Sequence, residues 1–256
     1  MIDLHCHILP GIDDGAADLA ESIRMAELAA ADGIHAIVAT PHNGNGVHVQ
    51  VAATIRERVS DLQNVLEELG IPLRVHAGAE EHFRPELVED ARNGRLIPID
   101  PAGRVLLLEF PFMTLPDGVE ERIFRLQTMG YRIVLAHPER NVVFQHEIDR
   151  LLGLVAAGCL TQITEMSLTG DMGEPAFDCA LEMIERRMAH ILASDAHSAD
   201  FRYPRLSEGV KIVRKITKRE EVGRRMVLDW PQALLAGEPI ECPEPLRPKR
   251  KRFFFF

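Results

Sequence analysis

The chain has no CxxC pair, no glycine-rich dinucleotide turn, no long apolar run and no lysine before Lys211. Each absence removes a class of protein. The four cysteines, Cys6, Cys159, Cys179 and Cys242, lie far apart, which excludes a cysteine-zinc module and reads as reduced thiols in a cytoplasmic protein. The longest apolar stretch, LLGLVAAGCL, falls short of the about 20 residues that span a bilayer. There is no excess of positive charge; the net charge of -10 argues against a nucleic-acid surface. No secretory signal precedes the first expected strand. What remains, over 256 residues that are 46% hydrophobic and 27% charged, is ordinary globular composition with no internal repeat and no linker.

Seven apolar, β-rich stretches recur: MIDLH, HAIVATP, LRVHAGAE, RVLLLEF, YRIVLAHP, CLTQITE and AHILASDAH. Amphipathic segments of helical length lie between most of them, over 16–33, 51–70, 118–130 and 147–158, each ending on a glycine that suits a helix stop. This alternation predicts an α/β fold with a parallel sheet and crossover helices. Seven strands without a dinucleotide-binding turn favour a closed or nearly closed barrel over an open doubly wound sheet.

Polar residues gather at the C-terminal ends of these strands. His5 and His7 come first, two apart on one strand face, with Asp14 in the turn behind them. His42, Glu80, Glu109, His137, Asp195 and His197 follow, strand by strand. In a parallel barrel those ends share one rim, where active sites are built. Any one of these residues has a bland reading as a packed histidine, a surface carboxylate or a helix cap. Recurrence at successive strands makes that reading poor. Five imidazoles and four carboxylates exceed the needs of one metal but suit two or three, and the absence of thiolate points to zinc, iron or manganese. Such clustered metals lower the pKa of a bridging water and clamp a phosphate.

Arg140 in AHPER and Arg202 in SDAHSADFR lie in loops just past expected ligands, and planar guanidinium groups bind phosphate oxygens in pairs, so both are candidate catalytic residues. His35, His48, His76, His82, His146 and His190 read as structural or solvated; His82 stands apart because of its closeness to Glu80.

The ordered set MIDLHCHILPGIDDGA, ATPH, GAE, LLEFPF, AHPER and SDAHS, from residue 1 to about 202, resembles the PHP superfamily. Within it the chain is most similar to the bacterial capsule-operon tyrosine-protein phosphatases of the CpsB/CapC/YwqE type. The resemblance implies a distorted (β/α)7 barrel, the PHP fold, as a single domain over 1–241. It implies three metal ions, manganese or iron, with zinc or magnesium as alternatives. His5, His7, Glu80 and Asp195 would surround one; Glu80, Glu109 and His137 a second; Asp14, His42 and His197 the third. Arg140 and Arg202 match the phosphate-binding arginines. The implied reaction is hydrolysis of phosphotyrosine by a water that the metals activate. The implied partner is the phosphotyrosine tail of a bacterial tyrosine kinase that controls polysaccharide export. Two positions depart from the pattern: Asn43 stands where a second histidine is common, and Cys6 where a serine is common. Cys6 is expected to point away from the His5/His7 face.

Thiolate tyrosine phosphatases carry an arginine six residues after their cysteine; here those positions are Ile12, Glu165, Glu185 and Pro248, so no such loop exists. A carboxylated-lysine amidohydrolase is excluded by the missing early lysine. Histidinol phosphatase and a catalytically silent regulatory barrel are the remaining alternatives. The tail 242–256, with RPKRKRFFFF, is expected to be a disordered end; its functional reading is a weak contact with an anionic membrane surface.

Overall fold

A computed structural model describes residues 1–247. Of the tail, the segment through Arg247 is described, and Leu246 N–H donates to the Arg186 carbonyl at 2.8 Å. The basic and phenylalanine run from 248 onward lies outside the described residues. No described helix is long and apolar enough to cross a membrane.

Among the described residues nine strands form, in or just past the seven expected stretches: β1 (Ile2–Cys6), β2 (Ala36–Ala39), β3 (His42–Asn43), β4 (Arg74–Ala77), β5 (Glu80–His82), β6 (Val105–Glu109), β7 (Arg132–Ala136), β8 (Leu160–Thr164) and β9 (Ile191–Ala193). The second expected strand stops early and β3 begins just past its end, and the third is broken in two. Pro41 cannot donate to a ladder, which ends β2. Gly78 ends β4; a Cβ there would lie 2.9 Å from Val38 and 3.0 Å from the Ile99 backbone. The backbone still bridges the gap, because Gly78 N–H reaches the Ala39 carbonyl and Glu80 N–H the Pro41 carbonyl. Every pairing is parallel, in the orders β1-β2-β4 and β3-β5-β6-β7-β8-β9. A parallel bridge between Cys6 and Ala196 joins β1 to the segment that follows β9.

The four expected helices form at Leu19–Ala31 (α1), Ala52–Glu68 (α2), Val119–Thr128 and Ile148–Ala156. The strands bury both faces. Ile2, Leu4, Val38, Leu107, Val134 and Ile191 make one apolar cluster, closed by Leu234. Ile37, Leu106, Leu108, Ile133, Leu135 and Leu192 face the helices in another. Burial on both faces explains why these strands read as continuous apolar runs rather than alternating ones. β1 slips register between Asp3 and Cys6, and such bulges re-aim side chains beside functional sites.

Leu108 is wholly buried in β6. Leu108→Ala is expected to lower unfolding free energy by about 2–5 kcal/mol, read from urea denaturation midpoints. A loss under about 1 kcal/mol would mean that the helix layer collapses onto the cavity.

Candidate metal centre

The strand ends deliver the expected residues to one place. His5 lies near the end of β1, His42 and Glu80 open the short strands β3 and β5, Glu109 ends β6, and His137 follows β7. Asp195 and His197 follow β9. His137 and Asp195 have positive φ, 30° and 51°, a conformation that costs a non-glycine residue about 1–3 kcal/mol. Neighbouring hydrogen bonds hold it: Asp195 N–H donates to the His5 carbonyl, and Arg140 N–H to the His137 carbonyl. Gly15 packs its backbone on His7, where a Cβ would come within 2.2 Å of the His7 carbonyl oxygen.

Glu80, fully buried, is the hub. Its Oε1 lies 2.9 Å from His137 Nε2 and 3.3 Å from His5 Nε2. Its Oε2 lies 2.7 Å from His42 Nδ1 and 3.6 Å from His7 Nε2. The His42–Glu80 approach lacks hydrogen-bond alignment, so both atoms are buried without a partner. Asp195 Oδ1 adds contacts of 3.4 Å to His5 and 3.6 Å to His7. Four overlapping groups could each hold a cation: His7, Asp14, His42 and His197; His5, His7 and Glu80; His5, His137 and Asp195; His42, Glu80 and Glu109. Together they include all nine expected side chains.

Outer partners set the ring tautomers. Gln162 Oε1 also accepts from His137 N–H, which fixes its amide orientation, so His5 Nδ1 donates to it at 2.9 Å. His7 Nδ1 donates to Asp13 at 2.7 Å, and His197 Nδ1 to the Asp195 carbonyl at 2.9 Å. All three Nε2 lone pairs are thereby freed for ligation. His5 Nε2 and His7 Nε2 then face each other at 3.1 Å, an arrangement that calls for a proton or a cation between them.

The electrostatics agree. Burial opposes charge on His5, yet Glu80 and Asp195 outweigh it and raise its pKa to about 10. Burial likewise opposes charge on His42, and Glu80, Glu109 and Asp14 raise it to about 9. Burial would raise Glu80, but the surrounding histidines hold it well below the usual carboxylate range. His197 moves the other way, to about 2, through burial and the neighbouring His7. Without a cation, the centre holds positive charge as protons.

A pocket of about 220 Å³ opens above, lined by Arg140, Arg202 and Phe112 among others. Both guanidinium groups converge on Asp195 Oδ2, at 2.5 Å and 2.7 Å. The Arg140 guanidinium sits 4.7 Å from the Phe112 ring centre. His82, the histidine set apart, also lines the pocket and places Nδ1 3.1 Å from Glu109. Asn43 serves as scaffold: its Nδ2 donates to Glu81 and its Oδ1 accepts from Gln50 N–H. Cys6 is fully buried, its Sγ 3.9 Å from the Ala196 carbonyl, away from the pocket as expected.

Sequence reasoning assigned no role to Asp13, Gln162 or Asp3. Asp13 lay in plain view beside Asp14, but only the turn shows which carboxylate reaches His7. Asp3 receives Ser194 N–H and hydroxyl hydrogen bonds beneath the bulge. Gln162 sits mid-strand, where no pattern marks it.

The raised His5 and His42 values carry a pH dependence. Protonated rings stabilise the cation-free fold fully below their ordinary pKa of about 6.5, and that stability fades as pH climbs through the folded values of about 9 to about 10. Melting midpoints in chelator are expected to fall by at least roughly 5 °C between pH 7 and 10. His5→Gln should flatten the profile; an unchanged slope would remove His5 as its source.

The sequence matches the family described as capsular polysaccharide synthesis, CpsB/CapC, over residues 1–236. It is 37% identical to the tyrosine-protein phosphatase YwqE of Bacillus subtilis, with both chains covered in full. It is 27% identical to the tyrosine-protein phosphatase CpsB of Streptococcus pneumoniae, over 94% of this chain and all of the relative. A crystal structure from work on YwqE and CpsB, described as metal-dependent tyrosine phosphatases, superposes with a TM-score of 0.91 at 36% identity, covering 98% of this chain and 100% of the other. A β-aspartyl dipeptidase of Fervidobacterium islandicum shares only the fold, with a TM-score of 0.52 at 13% identity over 92% of this chain and 74% of its own. The match over nearly the whole described chain, with one relative at 37% identity end to end, places this protein in the CpsB/CapC family.

Proposed function

We propose that the chain is a metal-dependent protein-tyrosine phosphatase that hydrolyses phosphotyrosine on a bacterial tyrosine kinase tail. The observation that carries this is the convergence of nine donor side chains beneath two guanidinium groups in one pocket. Family membership supports it. We read the two sheets as one distorted (β/α)7 barrel, because the backbone bridges both strand breaks and β1 meets the end of β9.

Three ions fit the donor set, manganese or iron by the resemblance. His5, His7, Glu80 and Asp195 would hold one, Glu80, Glu109 and His137 another, and Asp14, His42 and His197 the third. The overlapping groups hold Asp14, His42 and His197 together and His5, His7 and Glu80 together, but they put His137 and Asp195 with His5, and Glu109 with His42 and Glu80. Bound ions supply Lewis acidity and a water of lowered pKa.

The chain's own residues do the rest. Arg140 and Arg202 already point at a single oxygen position, Asp195 Oδ2, beside the pocket. They would share charge on the equatorial phosphate oxygens during in-line displacement. Phe112 holds the Arg140 plane. A phenol of pKa about 10 leaves with little help from a general acid. Thiolate chemistry lacks a nucleophile in the pocket: Cys6, Cys159 and Cys179 are buried, the half-buried Cys242 does not line the pocket, and burial raises all four thiols.

The decisive assay compares phosphate release by manganese-loaded protein from a phosphotyrosine peptide and from histidinol phosphate. Faster release from the peptide is expected. The reverse result would move the protein to histidinol phosphate chemistry. Arg140→Ala and Arg202→Ala should each lower kcat about 10²–10³-fold with metal content retained, while Cys6→Ser should stay active. Near-total loss in Cys6→Ser with metals in place would reinstate a thiol mechanism.

Asp13→Ala removes the acceptor that fixes the His7 tautomer. Metal affinity should fall about 10–100-fold, read by competition with a chromogenic chelator. Unchanged affinity would show that the ring needs no such partner.

A further inference from the structure

The two phenylalanines that follow β6 divide between core and pocket. Phe110 is buried against Phe83 and Phe144, with ring centres 5.2 Å and 5.9 Å away. Phe112 lines the metal pocket and stays 40% exposed. Among the described residues that line this pocket, apolar side chains come from Pro111 and Phe112 alone, and every other one is polar. Neither cations nor a phosphoryl group has any use for an apolar wall. A ligand with an apolar part joined to its phosphate does.

That wall is held in place. Asn141, buried next to Arg140, donates from Nδ2 to the Pro111 carbonyl at 2.7 Å and the Thr114 carbonyl at 3.0 Å. Its Oδ1 accepts from Val143 and Phe144 N–H, which fixes the amide orientation. Val142 N–H donates to the Phe112 carbonyl at 2.8 Å. The loop that presents Phe112 is therefore fastened to the loop that presents Arg140, whose guanidinium sits 4.7 Å from the Phe112 ring centre. Buried donors close the floor of the pocket, so a leaving group must point to the open side, where Phe112 stands partly exposed. In phosphotyrosine the ester oxygen joins phosphorus directly to the first ring carbon, which brings the ring to the same side.

We propose that Phe112 selects an aromatic leaving group: its ring packs against the phenyl ring of the substrate tyrosine while Arg140 holds the phosphate. Pro111 extends the same wall. Aromatic rings attract one another beyond their shared burial, and a serine or threonine phosphate brings no ring to meet Phe112. This specificity rests on the tyrosine-phosphatase reading and deepens it.

Calorimetric titration of the full, manganese-loaded chain with benzylphosphonate and methylphosphonate tests it. The methylene of benzylphosphonate stands in for the ester oxygen, and the two ligands differ by the ring alone. Neither is hydrolysed, so leaving-group acidity plays no part. Wild-type protein is expected to bind benzylphosphonate at least about tenfold tighter. Phe112→Ala should shrink that preference to about twofold or less, while Phe112→Tyr keeps it. A disturbance of Arg140 would weaken both ligands alike and leave their ratio unchanged. Melting midpoints show whether the variants fold, and the wild-type comparison needs no variant. Equal affinities in the wild type, or a preference that survives Phe112→Ala, would overturn the role of Phe112. Hydrolysis of a phosphotyrosine peptide alongside either result would leave the phosphatase reading standing. No hydrolysis of the peptide and no binding of either phosphonate would sink both.

Discussion

A carboxylate sealed from water among four histidine rings is the constraint around which this protein is organised. Glu80 is fully buried, and its two oxygens meet His5, His7, His42 and His137 within 3.6 Å. Such a charge is tolerable only with compensating positive charge close by. Protons on His5 and His42 supply it in the cation-free protein, and bound cations would supply it in a working enzyme. The same arrangement thus explains why those two rings hold protons firmly and why the site suits metals.

The fold serves that constraint through its irregularities. Regular parallel strands with both faces buried leave no room for a polar cluster inside the sheet. The cluster forms where regularity ends: at the bulge in β1, at the breaks at Pro41 and Gly78, and at the left-handed residues His137 and Asp195. Each local departure is held by hydrogen bonds from a second layer. Asp3, Asp13 and Gln162 orient what lies inward of them, as carboxylates and amides do around many metal centres.

Outside the centre, charge is arranged differently. The arginines of the pocket aim inward at Asp195 Oδ2, where phosphate oxygens would compete for them. That arrangement suits recognition of a phosphoryl group that every substrate shares.

Much of this was legible in the chain itself. Strand–helix alternation is set by local apolar periodicity, so the parallel α/β architecture and the four helices could be read from it. The nine donor side chains were legible because chain order maps onto neighbouring strand ends in a parallel sheet. Side-chain character alone showed that no cysteine loop and no early lysine were available. The break at Gly78 was not legible, since its cause is close contact with Val38 and Ile99 across the sheet, whereas Pro41, which ends β2, stood in plain view. Nor could sequence show that Asp13 rather than Asp14 holds His7, that Gln162 fixes His5, or that Asn43 braces a loop instead of binding an ion. Those roles depend on distances between residues far apart in the chain. A sequence determines which groups are present and which face each tends to occupy; only the closed tertiary structure decides which of them come within 3 Å.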